Sequence, residues 1–253
     1  MGLSRRTVVV VPCYNEASRL ECEAFESALA GDENLQFIFV NDGSRDETGE
    51  RLMALRRRAG ERAHVLDLAH NSGKAEAVRQ GVLRAFQLDA GYIGYWDADL
   101  STPLDCIESF ARELEARKVS LILGSRVLLM GRNIVRSPWR HYVGRVFATL
   151  ASLSLGFAVY DTQCGAKLFR ATDALRDVFS RPFELTWAFD VELLERLDGL
   201  RNSSHRFEIE HECAEYPLPQ WIDTSGSKLN PLQYPRILGE MARLAIRGLL
   251  SRR

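Results

Sequence analysis

An α/β architecture, with a doubly wound and mostly parallel sheet flanked by helices, follows from the pattern of this 253-residue sequence. Short, mostly apolar runs alternate with longer amphipathic segments five times before residue 126. The first run, residues 8–11, is Val throughout and suits a strand buried on both faces. Each run stops at a polar cluster. Those clusters should therefore share the carboxyl edge of one sheet, where open α/β sheets bind ligands.

The run at 8–11 stops at Pro12-Cys-Tyr-Asn-Glu16, and a helix is expected over 18–30. A second strand at 36–40 ends in Asn41-Asp-Gly-Ser44, which also reads as a plain turn. The helix at 45–59 turns Leu52 and Leu55 inward and leaves Arg56, Arg57 and Arg58 on a solvated face. A third strand at 64–68 leads to Asn71-Ser-Gly-Lys74, which opens a helix reaching about residue 88. The fourth strand, 92–96, runs into Asp97-Ala-Asp-Leu-Ser-Thr-Pro103 and a helix to 117. A fifth, at 121–123, ends in Gly124-Ser-Arg126. A last helix at 235–250 sets Ile237, Leu238, Met241, Leu244, Ala245 and Leu249 against Arg236, Arg243 and Arg247. It either packs on the domain or lies at a membrane interface. No repeat or linker divides the chain, so one domain is expected, with 1–125 and 126–253 as its two halves.

Composition excludes several classes. Apolar content of 46% with 26% charged residues is that of a soluble globular chain, and a net charge of -1 carries no nucleic-acid signature. Five Cys without a Cys-x-x-Cys pair point to a reducing compartment, hence the cytoplasm. The apolar run after Arg5 and Arg6 is too short for a signal-peptide core. No apolar stretch reaches membrane-span length; the nearest, 146–160, is a buried helix or one lying on a membrane.

The chemistry concentrates at Asp97-Ala98-Asp99. Alternate residues of an extended chain point the same way, so both carboxylates can reach one cation. Hard oxygen ligands suit Mg²⁺ or Mn²⁺, although the pair also fits plain helix capping. Lys74, after Gly73 at a helix start, can cradle a diphosphate. Neither a Walker A loop nor a Gly-x-Gly-x-x-Gly after the first strand is present, which argues against a P-loop nucleotidase and a Rossmann dehydrogenase. From Ala116 to Tyr160 there is no Asp or Glu, while Arg117, Lys118, Arg126, Arg132, Arg136, Arg140 and Arg145 all fall there. Such a run is a solvated face, or a surface for phosphate or membrane. Asp190, flanked by aromatic and apolar residues, is a helix N-cap or a functional acid. Cys164 has no His nearby in sequence to serve as the base a nucleophile needs, and the five His lack metal-ligand spacing.

Taken together, these segments resemble family 2 glycosyltransferases with the GT-A fold, and among them the dolichyl-phosphate β-glucosyltransferases. The likeness runs from about Thr7 to Leu250. Val10–Glu16, Val40–Ser44, Gly73–Arg79, Asp97–Pro103 and Gly124–Arg126 carry the broad family; Asp161–Phe169, Trp187–Leu194 and Gly226–Leu229 carry the glucosyl branch. The resemblance implies glucose transfer from UDP-glucose to a polyprenyl phosphate, dependent on Mg²⁺ or Mn²⁺. It implies that Pro12, Tyr14 and Glu16 hold the uridine, that Asp42 binds uracil or ribose, and that Lys74 lies in the nucleotide loop. Asp97, Ala98 and Asp99 match the metal-binding Asp-x-Asp. Arg126, with Arg140 or Arg145, matches arginines on the acceptor phosphate; Lys228 lies in the matching C-terminal motif and is assigned there too. Asp161 and Asp190 match acids at the sugar and acceptor end.

Two features depart from the pattern. Eukaryotic members carry an N-terminal membrane helix, whereas no membrane-length stretch stands here, so a lipid is reached from the membrane surface, the sequence is trimmed from a longer chain, or the acceptor is not a membrane lipid. Ala75-Glu76 replaces glycines common in glucosyl relatives, which puts a carboxylate near the diphosphate unless it points away. The expected partners are a UDP-sugar, a polyprenyl phosphate and the cytoplasmic face of a membrane. Three rivals stand beside this reading: a glycosyltransferase with another sugar or a soluble or polysaccharide acceptor, a non-catalytic UDP-sugar-binding protein, and a nucleotidyltransferase. The last lacks its Gly-rich N-terminal loop here.

Overall fold

The computed structural model describes residues 2–135 and 138–222, together with 239, 240, 243 and 246; the side chains of 138–143 lie outside the described residues. The chain opens with β1 (Thr7–Cys13), α1 (Cys22–Gly31), β2 (Leu35–Asp42), α2 (Thr48–Ala59), β3 (Ala63–Leu68), α3 (Lys74–Ala85), β4 (Tyr92–Trp96), α4 (Cys106–Arg117) and β5 (Leu121–Ser125). All five strands and four helices expected in this half form, with boundaries moved by a few residues. Then come β6 (Asn133–Val135), α5 (Pro138–Leu155), β7 (Ala166–Arg170), α6 (Asp173–Ser180), α7 (Phe189–Asp198), α8 (Ile209–Glu212), β8 (Cys213–Pro217) and β9 (Gln220–Ile222).

The main sheet has the order β3-β2-β1-β4-β7-β5-β8. The chain winds outward from β1 to β3, then returns to β4 on the other side of β1. That reversal is the switch point at which doubly wound sheets leave a crevice. Pairing is parallel except at β7, which runs antiparallel to both β4 and β5. A separate parallel pair joins β6 to β9.

Both faces of the sheet are covered, as uncharged parallel strands require. Val9, Val11, Phe37, Phe39 and Trp96 pack with Phe25, Leu52, Leu55, Phe110 and Leu114 of α1, α2 and α4. Val8, Val10, Ile38, Val40 and Tyr95 pack with Val78, Val82, Val178, Leu193 and Leu197 of α3, α6 and α7.

The residues of α5 separate into two faces. Phe147 and Ala151 pack on Leu185, Ala188 and Val191, while Val146, Leu150 and Leu153 are exposed. No helix among the described residues is long and apolar enough to cross a membrane. Of the expected C-terminal helix, Gly239, Glu240, Arg243 and Ile246 are helical, and the rest lies outside the described residues. Glu240 is buried and accepts hydrogen bonds from the backbone N–H groups of Trp187 (3.0 Å) and Ala188 (3.1 Å) and from Thr186 Oγ1 (2.9 Å). At this residue the helix docks on the domain, and its carboxylate caps the start of α7.

Candidate active site

The loops leaving β1 and β2 are stitched together. Asn15, in the left-handed region at φ 49°, donates its N–H to Ser44 Oγ (3.0 Å) and accepts from the Arg45 N–H (2.8 Å). The Glu16 N–H donates to Thr48 Oγ1 at 2.7 Å. Pro12 and Tyr14 are half-buried beside this seam, while Glu16 is buried and ion-paired to Arg19 at 2.7 Å.

Asp42, at the end of β2, is buried, and its carboxylate accepts from the N–H groups of Ser72 (2.7 Å) and Gly73 (2.9 Å). It therefore shapes the loop before α3 from beneath. Gly43 completes that contact. At φ +63° a Cβ would lie 2.5 Å from the His70 carbonyl carbon, so any side chain would separate the two loops. The product of this packing is the position of Lys74, whose Nζ lies 2.6 Å from Asp97 Oδ1. Burial works against the Lys74 charge, but Asp97, Asp190 and Asp99 outweigh it and hold its pKa above the usual lysine value. Glu76 points away, with two 2.7 Å hydrogen bonds from Arg79 and a third from Gln80. The Arg79 bonds hold its carboxyl below the usual range. The negative charge expected beside the diphosphate loop is thereby neutralised along the helix.

Asp97 leaves β4 half-exposed, and Ala98 is buried between it and Asp99. The backbone then turns through Leu100 at φ 52°, a sparsely populated conformation for a non-glycine residue. Asp99 Oδ1 accepts from the Ser101 N–H (3.1 Å), and the Trp96 indole anchors the loop by donating to the Thr102 carbonyl (3.0 Å). Gly165 flanks Asp97 on the other side: the Asp97 N–H donates to its carbonyl at 3.1 Å, and a Cβ at 165 would overlap the Asp97 carboxylate. Among the described residues no three His, Cys, Asp or Glu converge as a metal cage. Two neighbouring carboxylates in a crevice suit a cation such as Mg²⁺ or Mn²⁺, which completes its shell with substrate phosphate and water.

Two further charge clusters surround this centre. Arg126 donates Nε to Asp161 Oδ2 (2.6 Å) and Nη2 to Asp161 Oδ1 (2.8 Å), and its guanidinium lies over the Trp221 ring, 5.3 Å from the centroid. Burial raises the Asp161 pKa, but the Arg126 charge and its bonds dominate and hold the carboxyl below the usual range. Arg126 is held above the usual arginine value despite its own burial, chiefly by Asp161, with Cys164 and Asp97 also contributing. Glu215 clamps this corner by accepting from the Tyr160 (3.0 Å) and Asp161 (2.9 Å) N–H groups. Arg145, exposed on α5, stacks 4.3 Å from the centre of the Tyr160 ring.

In the second cluster, Asp190 is buried and accepts from Lys167 Nζ (2.5 Å) and the Tyr95 hydroxyl. Burial, then the Asp190 charge, push the Tyr95 phenol well above its usual pKa. Cys164 is pushed up to about 11 by burial, which keeps it a thiol rather than a nucleophile.

Pro12 and Tyr14 at the end of β1, Asp42 at the end of β2, and Asp97 and Asp99 after β4 thus share the carboxyl edge of three neighbouring parallel strands, and Lys74 meets Asp97 there; Arg126 pairs with Asp161 after β5, and Asp190 pairs with Lys167. Arg140 falls within α5, with its side chain outside the described residues, and Lys228 lies outside them altogether. Sequence reasoning did not single out Lys167, Gly165 or Glu215. A lone lysine between Ala166 and Leu168-Phe169 was the available signal for Lys167, because a charge inside an apolar strand needs a partner.

The sequence matches the family described as glycosyl transferase family 2 over residues 8–176. It is 35% identical to a dolichyl-phosphate beta-glucosyltransferase of Drosophila melanogaster, over 88% of this chain and 69% of that protein. It is 32% identical to the Homo sapiens protein of the same name, over 90% of this chain and 71% of that one. Among solved structures it superposes on Mycobacterium tuberculosis glucosyl-3-phosphoglycerate synthase in complex with Mn²⁺, UDP and glucosyl-3-phosphoglycerate. The TM-score there is 0.62 at 21% identity, covering 98% of this chain and 80% of that one. The same enzyme with Mn²⁺ and UDP-glucose gives a TM-score of 0.63. This likeness shows a shared GT-A fold.

Proposed function

The chain belongs to glycosyl transferase family 2, and within that family we propose that it moves glucose from UDP-glucose to a polyprenyl phosphate, with inversion and with Mg²⁺ or Mn²⁺. The observation that carries this reading is the 2.6 Å contact of Lys74 with Asp97 at the carboxyl end of β4, with the Arg126–Asp161 pair following β5 in the same sheet. One crevice then offers a cation for an acceptor phosphate at one end and a pair of carboxylates for a metal–diphosphate at the other. The relatives named dolichyl-phosphate beta-glucosyltransferase support the same pair of substrates.

Asp97 and Asp99 would hold the metal, which when bound neutralises charge on the departing diphosphate. Lys74 binds a diphosphate oxygen, and Asp42 fixes the loop that carries it. Pro12, Tyr14 and Glu16 line the uridine end. Arg126, with Arg145 and, from the sequence pattern, Arg140 and Lys228, holds the acceptor phosphate in line. An acceptor oxygen forms a bond to the anomeric carbon as the opposite bond, from that carbon to the UDP oxygen, breaks. A phosphate monoester has its second pKa near 6, so the acceptor needs no strong base. Asp161, kept ionised by Arg126, orients that arginine instead, and Asp190 braces the floor of the site.

The described residues offer a lipid an apolar surface. Leu128, Leu129, Met130, Val146, Leu150 and Leu153 are exposed within the acid-free stretch 117–160, so apolar and basic groups share one region of sequence. This supports peripheral association with a membrane surface.

The test is radiolabelled transfer from UDP-glucose to polyprenyl phosphate in detergent with Mg²⁺ or Mn²⁺, with Asp99→Ala as control. Label in an organic-soluble, mild-acid-labile product that the control lacks is the expected result. Label only in water-soluble products would reject the lipid acceptor, and UDP-glucose binding without any turnover would reject transfer altogether.

A further inference from the structure

We propose that Lys167 is a positioning residue for Asp97: its buried ammonium holds the turn at 161–165 so that Gly165 braces the Asp97 carboxylate. The inference rests on the reading that Asp97 ligates the metal, and it assigns a role to a residue that never touches substrate.

Lys167 occupies the middle of β7, paired with Tyr95 of β4, and its side chain is fully buried. An ammonium there persists only if its donors are used. Its three bonds run to the Thr162 carbonyl (3.0 Å), the Cys164 carbonyl (2.7 Å) and Asp190 Oδ1 (2.5 Å), and it lies 5.1 Å from the centre of the Tyr95 ring. Two of these bonds grip the backbone of one turn, and the third ties that turn to the first turn of α7.

Asp161 steadies the start of the turn, accepting from the Gln163 N–H at 3.1 Å, but the next two side chains add no bond from the buried atoms that face inward. Thr162 Oγ1 and Gln163 Nε2 are buried without hydrogen-bond partners among the described residues. What the turn presents to the site is Gly165. Its carbonyl accepts the Asp97 N–H, and its Cα lies so close to the Asp97 carboxylate that a methyl group would overlap it. The carboxylate therefore has a wall on one side and Lys74 at Oδ1. The wall is built from backbone, and Lys167 fixes that backbone. Groups that orient a metal ligand from behind typically govern metal affinity by about 10- to 100-fold.

The experiment measures binding, not turnover. Mn²⁺ affinity is read from the free-ion electron paramagnetic resonance signal with UDP saturating, and UDP affinity by calorimetry with chelator present, well below each variant's melting temperature. Lys167→Met should weaken Mn²⁺ by about tenfold or more and leave metal-free UDP binding at the wild-type value. Gly165→Ala, which keeps the Lys167–Asp190 pair, should reproduce the Mn²⁺ loss, so the proposal remains testable if Lys167→Met does not fold. Wild-type Mn²⁺ affinity in either folded variant overturns the proposal, as does a parallel loss of Mn²⁺ and UDP binding. A wild-type chain that binds neither ligand would overturn the functional reading itself.

Discussion

Arg126 and Asp161 meet through two parallel hydrogen bonds, Nε to Oδ2 at 2.6 Å and Nη2 to Oδ1 at 2.8 Å, with both side chains largely buried. Removing one member of such a pair strands the other. Asp161→Asn should cost about 3 kcal/mol of stability at pH 7, measured by urea unfolding. The Asp161 pKa is depressed in the folded chain, so its contribution is present above the unfolded value and is lost as pH falls through the folded one. The gap between wild type and variant should therefore be constant near neutrality and close only below pH 3.8, the ordinary value from which Asp161 is lowered.

Lys74 trades a carboxylate for a diphosphate in the proposed reaction. Lys74→Met removes a charge-assisted hydrogen bond, generally about 1.5–3 kcal/mol. UDP affinity measured by calorimetry should fall by about 10- to 100-fold. An unchanged affinity would remove Lys74 from the nucleotide site.

Gly81 lies in the interior of α3, where alanine normally gains about 1 kcal/mol. A Cβ there would collide with Val10 and press on Val40, and overpacking of this kind costs about 1–3 kcal/mol. The second effect should win, so Gly81→Ala should lower the melting temperature while activity per folded molecule stays at the wild-type level.

Glu240 supplies acceptors to backbone N–H groups at 187 and 188 that begin α7. Glu240→Ala leaves them without that partner, at a cost of about 2 kcal/mol. Hydrogen exchange at 186–188 should accelerate, whereas exchange in β1 and β2 should follow only the global loss.

The exposed face of α5 should carry membrane affinity. Replacing Val146, Leu150 and Leu153 by Ser removes three apolar side chains and should weaken binding to anionic vesicles by at least about tenfold. Transfer to a short-chain acceptor in detergent should persist. Unchanged vesicle binding would place the lipid contact elsewhere.

The first half of the fold was legible because its signals are local. Short, mostly apolar runs mark β1 to β5, and Asp97 and Asp99 fall at a strand end as their spacing suggests. The second half is written in long-range pairings. The partner Lys167 needs is hidden until β7 is seen between β4 and β5, and Asp190 gains its meaning from Lys167 and Tyr95. Asp42 shows the same limit at smaller scale. Its position at a strand end was expected, but its use by the N–H groups of Ser72 and Gly73 depends on two loops that meet only in the folded chain.

The place of β7 also bears on how this protein is made. β4 and β5 follow one another in the chain but are not neighbours in the sheet, and only residues 166–170 join them. A nascent chain that has just released β5 from the ribosome holds two strand edges facing a gap. At about 5–20 residues per second, that gap stays open for a few seconds until β7 emerges. During synthesis those edges are targets for a chaperone, and a stall between residues 125 and 166 would release a chain whose central sheet cannot close.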